Sequence, residues 1–222
     1  MEFLLITRYG IEVVVSVFVI SLIIILVSIF FVKIDFIKYF LIFLSCGLLA
    51  FTLYFFRDPE RITPKNDKLI ISPADGKIIL IKDIYEDTYL KSECTQISIF
   101  MSPLNVHVNR FPVSGTIEYF EHIPGKYMVA FEDKSSSVNE RTLIGMNNGK
   151  QKILFKQIAG FIARRIMADV KVGMKGKAGE RFGMIRFGSR VDLMIPKNSS
   201  VKVKLNEIVR AGETILAEAT DD

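Results

Sequence analysis

The chain has 222 residues, half of them hydrophobic, with a formal net charge of +5, a pI near 9.1 and a mean hydropathy of +0.34. Two cysteines, one in an apolar run and one standing alone, suggest neither a disulfide framework nor a thiolate metal site, and imidazole chemistry is confined to His107 and His122. The positive charge suits nucleic acid or an anionic lipid surface, and the apolar residues crowded near the start decide for lipid and against nucleic acid.

Val13 to Val32 is an uncharged run of twenty residues. At 1.5 Å per residue it would reach about 30 Å, the hydrocarbon thickness of a bilayer. Tyr39 to Phe56 is a second such run, and the six residues Lys33 to Lys38 between them permit only a tight hairpin. The first run is too long for a signal peptide and is followed at once by another span. Arg8 precedes the first span, and Arg57, Arg61, Lys65 and Lys68 crowd the exit of the second. The positive-inside rule then predicts an anchor over residues 1–56, with a soluble domain over 57–222 on the cytoplasmic face of the cell membrane. Phe55, Phe56 and Arg57 suit headgroup depth, and Pro59 and Pro64 end the helix.

Lys68 to Ile81 reads as strand, turn, strand, with Asp75-Gly76 as the hairpin signal. Turn duty alone explains Asp75; an acid fixed there is also placed to orient a histidine. Tyr85 to Leu90 reads as a loop and Thr95 to Met101 as a strand. His107 follows near a strand edge, a structural residue in one reading and the first candidate for a proton carrier in the other. Thr116 to Phe120 is strand, and Glu121 to Lys126 a turn that leaves His122 more exposed. Tyr127 to Phe131 is short and apolar, with a polar stretch after it. Asn147 to Lys150 is a hairpin turn feeding Gln151 to Ile158. Arg164 and Arg165 are solvated surface by default and a site for an anionic ligand otherwise.

In Met184 to Val191 the residues alternate as in a strand, and Gly188 stands directly before Ser189. A glycine inside a strand marks a bend or a close backbone approach. Ser189 is either an ordinary strand residue or a nucleophile that attacks its own preceding carbonyl. Lys177-Ala178-Gly179-Glu180 recurs thirty-three residues on as Arg210-Ala211-Gly212-Glu213. The copies predict two related β-hairpins that pair into a flattened barrel, with Val201 to Leu205 as a cleanly alternating strand. The fold class expected is a mainly β soluble domain with a C-terminal lipoyl-like, barrel-sandwich hairpin repeat, preceded by a two-helix transmembrane hairpin.

Several stretches together resemble the phosphatidylserine decarboxylase proenzymes in their short bacterial or archaeal form. They are Phe55 to Pro59, Ser72-Pro73-Ala74-Asp75-Gly76, Ser102 to Arg110, Pro124-Gly125-Lys126, Asn139-Glu140-Arg141, Gln157 to Gly160 and Arg181 to Arg190. The resemblance implies self-cleavage between Gly188 and Ser189 into a β chain of 1–188 and an α chain of 189–222, which stay together as a heterodimer. Ser189 would become a pyruvoyl group, in place of pyridoxal phosphate and without a metal. The amine of an anionic phospholipid would form a Schiff base with it, and phosphatidylserine would leave as phosphatidylethanolamine and carbon dioxide. Asp75 matches the acid of the processing triad, and His107 the histidine implicated in decarboxylation. The triad's own histidine falls at Arg110, a poor general base, so either His107 serves both steps or His122 folds in. The lipid tails, ester or archaeal ether, and the oligomeric state stay open. The rival readings are an archaetidylserine decarboxylase, a pyruvoyl enzyme for a soluble amino acid, and a non-enzymatic membrane-tethered adaptor.

Overall fold

The computed structural model describes residues 6–126, 128, 138–160, 165–186 and 188–220. The apolar stretch expected at Tyr127 to Phe131 (Met128 apart), most of the polar stretch after it, Arg164 and Phe187 lie outside the described residues. The chain divides into two compact units, Met1–Glu60 and Arg61–Asp222.

The first unit is a helix pair, α1 (Ile11–Phe31) and α2 (Asp35–Phe55). Their mean hydropathies of 3.2 and 2.0 are consistent with membrane association. Large apolar side chains such as Phe30, Phe31 and Phe43 stay exposed, while Ser21, Ser28, Ser45 and Thr52 are buried. Small residues let helix backbones approach, and Ser21 Oγ donates to the Ser45 carbonyl at 3.4 Å. The link is shorter than expected, because α2 already begins at Asp35. An acid in the first turn suits the helix dipole, and its ion pair with Lys38 at 2.8 Å draws residues 35–38 into the helix.

Among its described residues the second unit has fourteen strands: β1 (Leu69–Ile71), β2 (Gly76–Glu86), β3 (Ser92–Met101), β4 (Val108–Arg110), β5 (Gly115–Ile123), β6 (Arg141–Asn147), β7 (Lys152–Ile158), β8 (Ile166–Ala168), β9 (Lys175–Gly176), β10 (Arg181–Ile185), β11 (Ser189–Pro196), β12 (Ser200–Val201), β13 (Ile208–Val209) and β14 (Ile215–Glu218). Eight form one sheet in the order β13-β2-β3-β11-β7-β6-β5-β9; β1-β14-β12 and β4-β10-β8 form two small ones. The core lies between them. Ile97, Ile99, Val191, Leu193 and Phe155 of the large sheet meet Ile70, Leu216, Phe182 and Ile185 of the small ones. Phe182 stands 5.0 Å from Phe111 and 5.2 Å from Phe155, ring to ring.

The strand pairing has an internal twofold pattern. β1 leads through Ser72-Pro73-Ala74-Asp75-Gly76 into β2, and β4 leads through Phe111-Pro112-Val113-Ser114-Gly115 into β5. β1 pairs with β14 as β4 pairs with β10; β2 pairs with β13 as β5 pairs with β9. Both glycines serve close approach: a Cβ at Gly76 would stand 2.2 Å from the Phe100 carbonyl oxygen, and one at Gly115 2.6 Å from that of Asn147. The mainly β expectation holds, but the two Ala-Gly-Glu copies do not pair as hairpins. Each turn feeds a strand of a different small sheet. The turns meet back to back, with a Cβ at Gly212 falling 3.6 Å from the Gly179 Cα.

Other local expectations change. Asp75-Gly76 does not close a hairpin, since β1 and β2 join different sheets. β2 runs on to Glu86, whose carboxylate accepts the N–H groups of Thr88, Tyr89 and Leu90 and so confines the turn to the residues beyond it. β5 extends through His122 to Ile123 because β6 pairs with it over that length. Val201 to Leu205 is strand only at Val201: Lys202 still donates to the Leu216 carbonyl, but Lys204 N–H turns to the Glu207 carboxylate. Asn147 to Lys150 is the expected turn between β6 and β7, with Gly149 at φ +85°.

Candidate active site

The strand expected through Met184 to Val191 is broken. β10 ends at Ile185 in one small sheet, and β11 starts at Ser189 in the large one. Between them Gly188 has φ +59°, a left-handed conformation that side-chain-bearing residues adopt at a cost. A Cβ there would meet no heavy atom among the described residues within 4 Å, so the demand for glycine is conformational, not steric. The Gly188–Ser189 peptide thus sits at a sharp corner where the chain crosses from one sheet to another.

Ser189 is fully buried. It pairs with Met101 at the end of β3, and its hydroxyl donates to the Met101 sulfur at 3.4 Å. A thioether is a weak acceptor. The next residue is anchored on the opposite face. Arg190, 1 % exposed, donates Nε–H to Asp192 at 2.6 Å and Nη2–H to the Ser98 hydroxyl of β3 at 2.9 Å. Gln96 donates to the same hydroxyl at 2.9 Å. A buried pair of this kind is costly to break from one side, about 3–5 kcal/mol, so residues 190–192 are held extended against β3.

His107 lies beyond the turn that follows Met101. Asn105 organises that turn: its side chain accepts the Ser102 N–H at 2.9 Å, and its carbonyl lies 2.9 Å from His107 Nδ1. A carbonyl only accepts, so Nδ1 carries the hydrogen, and Nε2 is the nitrogen whose protonation can change. The ring is wholly buried.

Asp75 is engaged elsewhere. Its Oδ2 pairs with Arg61 at 2.9 Å and its Oδ1 accepts the Ala211 N–H at 2.8 Å; Arg61 also pairs with Glu213 at 3.1 Å. The acid therefore grips the second Ala-Gly-Glu turn. Arg110, at the place of the expected second histidine, grips the first, donating Nη1–H to the Gly179 carbonyl at 2.9 Å. His122 does not join Ser189. It is half exposed on β5, 3.0 Å from Glu140, and β5 stands three strands from β11. At about 4.8 Å per strand, that separates the two backbones by about 14 Å. Arg165 is exposed.

Sequence reasoning nominated neither Met101, Asn109, Gln157 nor Arg190 as site residues. Asn109 and Gln157 are both fully buried, and Gln157 Nε2 donates to Asn109 Oδ1 at 2.9 Å. Thr142 holds the other end, its hydroxyl donating to Gln157 Oε1 at 2.8 Å. Asn109 Nδ2 reaches the Pro73 carbonyl at 3.4 Å and the Met101 sulfur at 3.8 Å. The available signal was parity: Gln157 continues the inward series of Ile153 and Phe155, where an apolar residue is expected. Among the described residues no group of three or more His, Cys, Asp or Glu side chains could hold a metal ion.

A family model described as phosphatidylserine decarboxylase matches residues 48–217. The chain is 52 % identical over 182 residues to a protein of Amoebophilus asiaticus named phosphatidylserine decarboxylase proenzyme, covering 81 % of this chain and 80 % of that one. A protein of the same name from Pelodictyon phaeoclathratiforme is 45 % identical over 212 residues, 95 % of this chain and 98 % of the relative. One from Salinibacter ruber is 49 % identical over 177 residues, 78 % of each.

Proposed function

The chain belongs to the phosphatidylserine decarboxylase family and is a decarboxylase, and from that premise we propose that it removes the serine carboxyl of phosphatidylserine as carbon dioxide, using a pyruvoyl group made from its own Ser189. The observation that carries this reading is the corner at Gly188–Ser189, a left-handed glycine followed by a buried serine at the first residue of a central strand. The curated relatives named as phosphatidylserine decarboxylases favour that substrate over an archaeal ether analogue, and family membership leaves no case for an adaptor.

Ser189 Oγ bonds to the Gly188 carbonyl carbon, the C–N bond breaks, and the hydroxyl proton ends on the freed nitrogen. Loss of the Ser189 Cα proton then expels the Gly188 carboxylate and leaves a dehydroalanine. One water converts its enamine to a ketone and releases ammonia. The products are a β chain of 1–188 and an α chain of 189–222.

The residues present fit a pyruvoyl group. Residue 189 is buried beside Met101, whose sulfur is a weak acceptor for its hydroxyl, so among the described residues loss of that hydroxyl strands no strong partner. Arg190 and Asp192 hold the strand behind it. When formed, the group supplies an electrophilic carbonyl that binds the substrate amine and draws electrons from the bond to the leaving carboxyl. His107, with Nδ1 fixed by Asn105, delivers a proton from Nε2 to the substrate carbon once carbon dioxide has left. The two apolar helices hold the domain at the cytoplasmic face, where a lipid headgroup can reach it.

Intact mass of the purified protein tests the reading. Two chains that meet at 188/189, the smaller without a free amino group, are expected, together with carbon dioxide release from phosphatidylserine vesicles. Carbon dioxide release by an uncut Ser189→Ala protein would overturn it.

A further inference from the structure

Two buried donors converge on one soft acceptor. The Ser189 hydroxyl reaches the Met101 sulfur at 3.4 Å, and Asn109 Nδ2 reaches the same atom at 3.8 Å. Among the described residues the other acceptor of Nδ2 is the Pro73 carbonyl, at a long 3.4 Å. Buried amides ordinarily find full-strength acceptors, and a donor left on weak ones carries a desolvation cost. The direction of this amide is set by its neighbours. Its oxygen accepts from Gln157 Nε2 at 2.9 Å; the same Nε2 donates to the Met167 carbonyl at 3.4 Å, which can only accept, and Thr142 donates to Gln157 Oε1 at 2.8 Å. Gly183, opposite Asn109 on β10, gives the Gln157 amide room, since a Cβ there would stand 3.1 Å from Gln157 Nε2. The NH2 group is therefore aimed at the Ser189 corner by a relay that begins on β6. The acceptor at that corner strengthens during self-processing, when Ser189 Oγ adds to the Gly188 carbonyl and charge collects on its oxygen.

We propose that Asn109 donates to the Gly188 oxyanion during self-cleavage, with Gln157 and Thr142 as positioning residues. The assignment rests on the self-processing reading above. It adds oxyanion stabilisation and leaves proton removal from Ser189 to a separate base; Arg110, at the place of the second histidine, donates to the Gly179 carbonyl. The step stays balanced: the Oγ–C bond forms, the C–N bond breaks, the proton moves from Oγ to nitrogen, and Asn109 keeps its own protons. Removing one such donor elsewhere slows the step about 10²–10³-fold.

The full chain, made by cell-free synthesis into detergent micelles, gives the test. Cutting is followed by intact mass, with and without hydroxylamine, which cleaves the ester but not the peptide. Asn109→Asp keeps the side chain's shape and the acceptor for Gln157 and, assayed at a pH where the new carboxyl is ionised, removes the donor. It should fold, cut about 100-fold more slowly, and show no hydroxylamine-dependent cleavage. Thr142→Val, which loosens the relay only at its far end, should slow cutting less. A folded N109D that cuts within about threefold of the parent rate overturns the assignment, that margin being small against the donor's 10²-fold worth. An N109D that cannot fold overturns it too, since the amide is then a structural fixture. A parent chain that never cuts removes the self-processing reading and Asn109's role with it; a parent that cuts beside an unaffected N109D removes the Asn109 assignment alone.

Discussion

Asp75 and Ser114 occupy twin positions in the two halves of the second unit. Each accepts the N–H of the alanine in an Ala-Gly-Glu turn, Asp75 from Ala211 at 2.8 Å and Ser114 from Ala178 at 3.0 Å. The twin shows that a serine suffices for the turn. What Asp75 has beyond Ser114 is a second oxygen and a charge, both directed at Arg61.

That comparison separates two roles. Asp75→Ser should fold with a modest loss of about 1–3 kcal/mol from the missing buried ion pair. If the charge also assists self-processing, as in the family triad, cutting slows about 10²-fold. We expect a melting curve close to that of the parent and slow accumulation of the α chain. Parent-like cutting by D75S would confine Asp75 to the turn.

The histidines should behave oppositely. Processed His107→Gln should lose about 10²–10⁴-fold in carbon dioxide release, while His122→Gln changes it little, because His122 stands three strands from β11 beside Glu140. Turnover of each variant, normalised to the pyruvoyl content found by mass, decides. A fully active H107Q would remove His107 from the chemistry.

Arg190→Met should still fold as a precursor, where residue 189 is tethered on both sides. The change leaves Asp192 as an uncompensated buried charge before and after the cut, worth about 3–5 kcal/mol, but only after the cut does it act on a free strand end. Hydrogen exchange at residues 190–192 should rise far more in the cut R190M enzyme than in an uncut S189A/R190M chain. Equal rises in both would make Arg190 a plain structural residue.

Cys94 offers a reporter. It is buried with Leu143, Leu154 and Met194, and burial pushes its thiol up to about 11. The reactive thiolate is scarce below that pH and increases as pH rises through it. In the folded enzyme at pH 8, alkylation should be slow. It should accelerate when β11, which carries Met194 and pairs Pro196 with Cys94, leaves β3. Prompt labelling of a folded, intact heterodimer would contradict the packing.

The two apolar helices, the mainly β domain and a bend at Gly188 were legible in the sequence, because run length, alternation and glycine each leave a local mark. That the chain changes sheet at this bend was not. Alternation runs unbroken from Met184 to Val191, and a change of sheet leaves no trace in a period of two. The Asn109–Gln157–Thr142 relay was hidden for a related reason: its members lie on β4, β7 and β6, and only strand order brings them together. Asp75 was legible as a turn residue, but Arg61 and Ala211 as its partners depend on contacts far apart along the chain.

β11 lies between β3 and β7 in the middle of the large sheet, while β13 and β14, further along the same segment, close the outer edge and one of the small sheets. The proposed cut at its first residue would turn an interior strand into a separate molecule woven through the rest. Maturation would then work as a one-way ratchet. The precursor's strand contacts are intramolecular; the mature enzyme, once unfolded, would have to find its lost strand by collision and would have no serine left from which to renew its reactive group. Its working lifetime would be set by the rate of first unfolding rather than by an equilibrium.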